Sequence, residues 1–563
     1  MAEKKVFLRK STGLIREIGF LAAILIVLCN TIGLGWQKRA FQFTGPAPIK
    51  ETMYIAGLPP ITMAFIIAGV VVLLSIFVFA ILTAAMPRSG GGYVFISRIL
   101  NPAAGVAASW LEFLSIAVSY GMIAVAVLEA VLLFGGLANI TVPAPLTTSV
   151  GLFGIGFVIV FFFAALALLG VKMAGMLLQV MFWIPAVITI LVYVLLLSVT
   201  PATLGAGIQA ITGHTALEFT NRAIAQGMAA AGAKFTYWSA VGVAMLGAYW
   251  AYIGYAASTF VAGEVKEAGK SLPKALFLGG GLIMLIYVSI SYLLASACMQ
   301  VGKVGEYSFF SAYSYLSYGG GNLWAGVPKA WLPVVCAFQA EGMGFAAFKV
   351  LLVIFAMFWV ANDIPPFIIT ASRLLFAMAF DRVLPVKLAE VSERFHSPTW
   401  AVLATAIIAL IGCASEAGVF YAGEPWYMGH GIELVFSTGV AATDFWDGIF
   451  FTLMALAALL FPYVKKDIYE KAPFKPEIGG IPLVALIGAA ALVGNLYLDW
   501  VFLDSGYNIT HAFDQGIFGD PAFPFVFTVS LIVLSLLVYY YYKLRAKATG
   551  VDMTTIYAEI PPE

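Results

Sequence analysis

An all-α membrane protein with twelve transmembrane helices is predicted by three observations. Of the 563 residues, 62% are hydrophobic and only 10% are charged, whereas soluble proteins carry about 25% charged residues. The apolar residues gather in blocks of about 20 or more, the length that spans a hydrocarbon core about 30 Å thick. Counted as twelve from a cytoplasmic N-terminus, the blocks leave 22 of the 30 Lys and Arg in the tails and inner loops, and 8 on the outer side or in outer helix halves. That asymmetry is the one positively charged inner loops impose, and it emerges only if every segment is counted correctly. A soluble fold is excluded, and a net charge of +1 provides no basic surface for nucleic acid and no acidic tail. Cys29, Cys298, Cys336 and Cys413 lack CxxC spacing, and His214, His396, His430 and His511 are scattered, so neither a metal cluster nor a cofactor is expected.

Taken in order, residues 1–17 form a basic inner tail (Lys4, Lys5, Arg9, Lys10, Arg16) that runs into the first block without a cleavable signal. A first half, 18–199, holds blocks at 18–43, 61–86, 103–137, 149–169 and 172–199. An outer stretch, 200–235, leads to a second half, 236–465, with blocks at 236–263, 275–299, 346–380, 398–414 and 445–464. Two more, 478–503 and 521–543, fill 466–545 before an inner tail, 546–563. The sequons at Asn139 and Asn508 both fall in outer loops, a weak agreement because chance sequons are common.

Two blocks are interrupted. Gly33 and Gly35 in Asn30-Thr-Ile-Gly-Leu-Gly-Trp36 sit mid-block, where glycine weakens a helix and bares its backbone. A second interruption, Trp250-Ala-Tyr-Ile-Gly-Tyr-Ala-Ala257, follows 221 residues later, five blocks after the first. Glycine also serves close helix packing, but matched spacing points to an inverted repeat with its binding site where the breaks meet.

Several stretches resemble the amino acid/polyamine/organocation transporter superfamily. They are Met86-Pro-Arg-Ser-Gly-Gly-Gly-Tyr-Val-Phe-Ile-Ser-Arg-Ile-Leu-Asn-Pro102 and Phe260-Val-Ala-Gly-Glu-Val-Lys-Glu-Ala-Gly-Lys-Ser-Leu-Pro-Lys274. With them go Ala371-Ser-Arg-Leu-Leu-Phe-Ala-Met-Ala-Phe-Asp-Arg-Val-Leu-Pro385, Ser397-Pro398, Gly33-Leu-Gly35 and Gly479-Gly-Ile-Pro482. The resemblance spans about residues 14 to 545 and implies five helices repeated upside down plus two more, with a secondary transport function. It also implies that the outer stretches 200–235, 300–345 (with the aromatic run Tyr307 to Tyr318) and 415–444 form lids of short helices.

A zwitterion crossing a membrane needs both charges neutralised by protein. Freed N–H groups at a half-helix N-terminus favour a carboxylate, and freed carbonyls favour an ammonium. Amides of Gly33, Leu34 and Gly35 are expected to take the carboxylate and carbonyls around Thr31, Trp250 and Ile253 the amine, positions that match the main-chain binding residues of the resembled family, with Ile32 and Gly254 also counted as substrate-binding. Trp250, Tyr252, Tyr255 and Phe367 line up with its substrate-facing aromatics, with Trp250 the expected gate. Ala256 stands where many relatives carry glutamate, which argues against a dicationic or guanidinium substrate.

For coupling, the lysine that relatives place in segment 5 aligns with Pro185, which disfavours a lysine-centred proton mechanism. Asp363 in Ala361-Asn-Asp-Ile-Pro-Pro366 lies ten residues from Arg373, about 15 Å by helical rise, and is read as a proton or cation site. The alternative is a vestibule carboxylate capping a helix broken by Pro365 and Pro366. Thr370 and Ser372 offer hydroxyls to sodium, although such hydroxyls more often bond their own backbone. Glu112 is read as inner-facing and Glu129 as interfacial; Lys38 and Arg39 are expected to pair with an outer acid, and Glu264, Lys266, Glu267, Lys270 and Lys274 to make inner-gate salt bridges. Cys298 and Cys336 both fall outside, as two free thiols or a disulfide. The function expected is secondary transport of neutral or hydrophobic amino acids through the cytoplasmic membrane, coupled to protons or sodium or by exchange. An amine or polyamine transporter and a transporter-like sensor are the alternatives. An enzyme is disfavoured by the lack of HExxH, and a nucleotide-driven pump by the lack of GxxxxGK[ST].

Overall fold

In hydrocarbon every backbone N–H and C=O must be satisfied within the chain, so apolar blocks become helices. A computed structural model describes residues 14–138, 140–419, 439–511, 514, 523–550 and 553–558. Lys4, Lys5, Arg9 and Lys10, the Asn139 sequon, His430 and most of the outer stretch 415–444 lie outside the described residues.

Helix α1 (Phe20–Cys29) is followed by a π-helical turn (Gly35–Arg39) and α2 (Ala40–Thr44). Next come α3 (Pro60–Ala85), α4 (Gly92–Ile99), α5 (Pro102–Ala138), α6 (Ser149–Leu168) and α7 (Val171–Leu197). Then α8 (Tyr237–Tyr252) and the single turn α9 (Ala257–Phe260) precede α10 (Ala268–Cys298), α11 (Phe348–Ala361), α12 (Ile364–Phe380) and α13 (Thr399–Glu416). The chain closes with α14 (Gly439–Val464), α15 (Leu483–Val501), α16 (Phe523–Ala548) and α17 (Met553–Ala558).

Among the described residues, ten helices are long and apolar enough to cross a membrane, α11 and α12 counting as one. The two expected blocks not among them, 18–43 and 236–263, are the interrupted ones: breaking a span leaves pieces such as the 10 residues of α1 and the 16 of α8. Most of α5 and all but the last residue of α12 are enclosed by the bundle, whereas α6, α7 and α16 expose Val150, Val187, Leu197 and Leu537, side chains suited to lipid. Helices α5 and α13 meet on small residues, with Cys413 Sγ 3.3 Å from the Gly121 carbonyl, the kind of close approach that holds helices together where no hydrophobic force acts between them.

The stretches 200–235 and 300–345 carry short helices: Pro201–Thr212, Ala216–Ala225 and Met228–Gly232 in the first, Phe309–Tyr318 and Leu332–Gly342 in the second. Thr215 and Glu218 form a capping box, in which the Thr215 backbone N–H and hydroxyl hold the exposed Glu218 carboxyl below its usual range. Gly479 and Gly480 turn a two-residue hairpin between β1 (Glu477–Ile478) and β2 (Ile481–Pro482). All four cysteines are buried and free, Cys298 and Cys336 included.

Candidate functional site

The first break begins at Asn30, where α1 ends, and lasts until the chain re-enters helix at Leu34. The second follows Tyr252: Ile253 turns extended, and Gly254 adopts φ +101°, a left-handed conformation suited to glycine. The two are packed on each other. The Asn30 side-chain amide donates to the Gly254 carbonyl at 3.1 Å, and a Cβ on Gly254 would collide with Asn30. From α10, the Tyr287 hydroxyl reaches the Thr31 carbonyl and, at 2.9 Å, the Ala251 carbonyl, while the Gly33 N–H donates to its oxygen. One phenol thus ties both interruptions. Gln37 Nε2 donates to the Gly33 carbonyl at 2.9 Å, so four carbonyls in or beside the two breaks face side-chain donors.

On the amide side of the first break lies Asp363, at the α11–α12 junction where Asn362 and Asp363 interrupt the helix and Pro365 and Pro366 open the next. Its carboxylate lies beside the Leu34 N–H and rests directly on Gly33, where any side chain would displace it. Asp363 is 3% exposed, and its Oδ1 has no hydrogen-bond partner among the described residues. A carboxylate from a neighbouring span therefore sits on the amides expected to take a substrate carboxylate.

Both ends of this core are closed by buried charge. On the side of the N-terminal tail, Ile18 pairs with the chain at Glu264 and Lys266. There Arg373 forks onto Glu264 at 2.8 and 3.0 Å, and Arg98 holds Asp381 at 2.5 Å. Tyr93 adds its hydroxyl to Asp381 at 3.0 Å and meets the Tyr557 hydroxyl at 3.1 Å, with the Tyr557 ring 4.9 Å from the Arg98 guanidinium. On the opposite side Lys38 lies 2.5 Å from both Glu129 and Glu416, and Arg39 reaches Glu416 at 2.8 Å while covering the Trp250 ring at 4.7 Å.

Two interrupted helices thus meet backbone to backbone, with an acid laid beside the freed amides and buried ion pairs on either side. Residues 18–513 match the model of the amino acid permease family. The chain belongs to that family. It is a multi-pass membrane permease, and membrane transport is the class of activity its family carries.

Of the residues the sequence singled out, the permease brings Thr31, Ile32, Gly33, Leu34, Gly35, Gly254 and Asp363 into one buried contact set. Trp250 stays close through Arg39, with its indole Nε1 buried and lacking a partner among the described residues. Tyr252 and Tyr255 diverge: the Tyr252 hydroxyl donates to the Phe65 carbonyl at 3.1 Å, and Tyr255 bonds Ser75 and faces Asp447. Phe367 and Ile253 are buried. Thr370 Oγ1 is buried without a partner among the described residues, but the Ser372 hydroxyl donates to its own backbone at Ile369 and accepts from Arg373. Sequence reasoning missed Tyr287, Gln37 and Glu416. The available signals were a tyrosine deep in an apolar helix and an acid at the end of one.

Proposed function

We propose that this permease moves neutral or apolar amino acids across the cytoplasmic membrane by alternating access, with Asp363 coupling uptake to protons. The supporting observation is the Asp363 carboxylate resting on Gly33 beside the Leu34 N–H. A substrate carboxylate seeks the same amides of Gly33, Leu34 and Gly35, and two anions on one half-helix end repel strongly in a dry site. The substrate therefore binds once Asp363 carries a proton and yields the amides, so proton and solute travel together. Its ammonium replaces the Asn30 amide and the Tyr287 hydroxyl on the carbonyls of Gly254 and Thr31, with Ile32 and Ile253 beside it. Trp250 acts as the gate and Phe367 flanks the side chain, while Tyr252 and Tyr255 brace the second break from behind. Thr370 and Ser372 are the place to look for a sodium site instead of a proton, although the Ser372 hydroxyl is already engaged.

In this reading 18–199 and 236–465 are two inverted halves of a twelve-helix protein, with 466–545 as two added helices and both termini in the cytoplasm. The decisive measurement uses radiolabelled amino acids in proteoliposomes. Asp363→Asn is expected to keep exchange of label across the membrane and to lose accumulation driven by a pH gradient; unchanged uphill uptake refutes the coupling role. A second reading, transport of amines, draws on the buried Oδ1 of Asp363, a ready partner for an ammonium. It predicts that amines, and not amino acids, compete for binding and that Asp363→Asn abolishes that binding. A sensor of the same fold would bind solute without net flux.

A further inference from the structure

Away from Asp363 the bundle buries a second group of acids. Glu112 comes from α5, Asp444 and Asp447 from α14, and Asp499 from α15, none more than 9% exposed. Tyr249 of α8 donates to Asp447 Oδ2 at 2.5 Å, and the Thr452 hydroxyl to Asp499 Oδ2 at 2.6 Å. Asp444 faces Arg39, whose guanidinium is also paired with Glu416. Tyr255, in the second break, faces both Asp447 and Glu112. Tyr507, just beyond α15, faces Asp444 with a hydroxyl that is buried and has no partner among the described residues.

The informative contact is between Glu112 and Asp447, whose carboxyl groups are buried within hydrogen-bonding reach of each other. Among the described residues no N–H or O–H reaches Glu112 Oε2 or Asp447 Oδ1. Two carboxylates have only acceptors to offer, so a hydrogen bond between them requires a proton held by the pair itself. Asp444, three residues before Asp447 and on the same helical face, has both oxygens without partners, and Asp499 Oδ1 is likewise open. Four buried carboxyls, with one guanidinium that faces Asp444 and is already paired with Glu416, cannot all be ionised at a tolerable cost in a membrane interior.

We propose that Glu112 and Asp447 form a proton-binding site, separate from Asp363, that holds one proton between two carboxyls and reports its occupancy to the second break through Tyr249 and Tyr255. With the proton in place, α5 and α14 are joined by a hydrogen bond carrying one negative charge. When the proton leaves to water, two like charges push the helices apart, and the tyrosines bonded to Asp447 or facing it from either side of Ile253 and Gly254 are drawn with them. Asp444, between the pair and Arg39, is the next carboxyl toward the closure formed by Lys38, Arg39 and Glu416, and offers the proton a route to that side. Proton binding here stands apart from the transport reading; its use in driving uptake rests on that reading.

The test is infrared difference spectroscopy of the purified full chain carrying Asp363→Asn, titrated in H2O and D2O. A protonated-carboxyl stretching band that disappears with rising pH, shifts on deuteration and is lost in both Glu112→Gln and Asp447→Asn is the expected result. A band that persists in both variants, or no titrating band at all, overturns the proposal. Should the variants not fold, Glu112→Asp and Asp447→Glu, which keep both carboxyls, are expected to shift the band; a band unmoved in both, or none in the parent, overturns the proposal. In proteoliposomes, Glu112→Gln is expected to retain counterflow exchange and to lose part of the accumulation driven by a pH gradient, which distinguishes a proton site from a bond that only holds helices together. If no solute is exchanged by any variant or by the parent while the band still titrates, the transport reading fails and the proton site stands.

Discussion

On the side of the N-terminal tail, Arg373 meets Glu264 through a two-pronged contact and Arg98 meets Asp381, with all four side chains almost wholly buried. On the opposite side Lys38 and Arg39 converge on Glu416, and Lys38 keeps Glu129, one-quarter exposed, within the same 2.5 Å. A forked arginine contact demands one geometry and is lost as a unit. A lysine held between two acids can leave one and keep the other. The first closure resists small displacements, whereas the second can rearrange in steps, and this difference sets what each substitution should do.

The largest effect is expected from Arg373→Ala, which leaves the Glu264 carboxylate buried and unpaired, a loss of about 3–5 kcal/mol. Thermal unfolding in detergent measures it, and Arg373→Lys should recover only part because the fork is gone. Glu416→Gln comes next, at about 1.5–3 kcal/mol for weakened charge-assisted hydrogen bonds, softened by the contact Lys38 keeps with Glu129. In a protein whose other three cysteines are serine, this variant should raise alkylation of Cys29 by an impermeant thiol reagent, since Cys29 is buried beside Asp363. No rise would show that the shared contact does not hold that side shut. Glu129→Gln should change stability by about 1 kcal/mol or less, as for other partly exposed pairs. An effect as large as that of Glu416→Gln would mean the two acids are not interchangeable.

The breaks were legible because glycine in mid-block is informative when it recurs at a matching place, and Asp363 because an acid at that depth is costly. Its landing beside Gly33 and Leu34 was not legible: nothing local tells a side chain at the α11–α12 junction which backbone it will meet. The acids of α14 were hidden by a boundary. Beginning that block at residue 445 left Asp444 in a loop and Asp447 at a helix end, whereas α14 is already helical from Gly439 and encloses both. Tyr252 and Tyr255 show the limit of reading neighbours together, since about 100° of helical turn per residue sends Trp250 toward Arg39 and Tyr252 toward Phe65. The three longest motifs behind the resemblance, far apart in sequence, meet on the tail side, where they supply Tyr93 and Arg98, Glu264, and Arg373 and Asp381.

The last described helix gives that side one more property. Because the Tyr557 phenol lies over Arg98 and touches Tyr93, it completes the cluster that Arg98 and Asp381 begin. Anything that displaces α17 unstacks a buried guanidinium, so events at this short helix are felt inside the bundle.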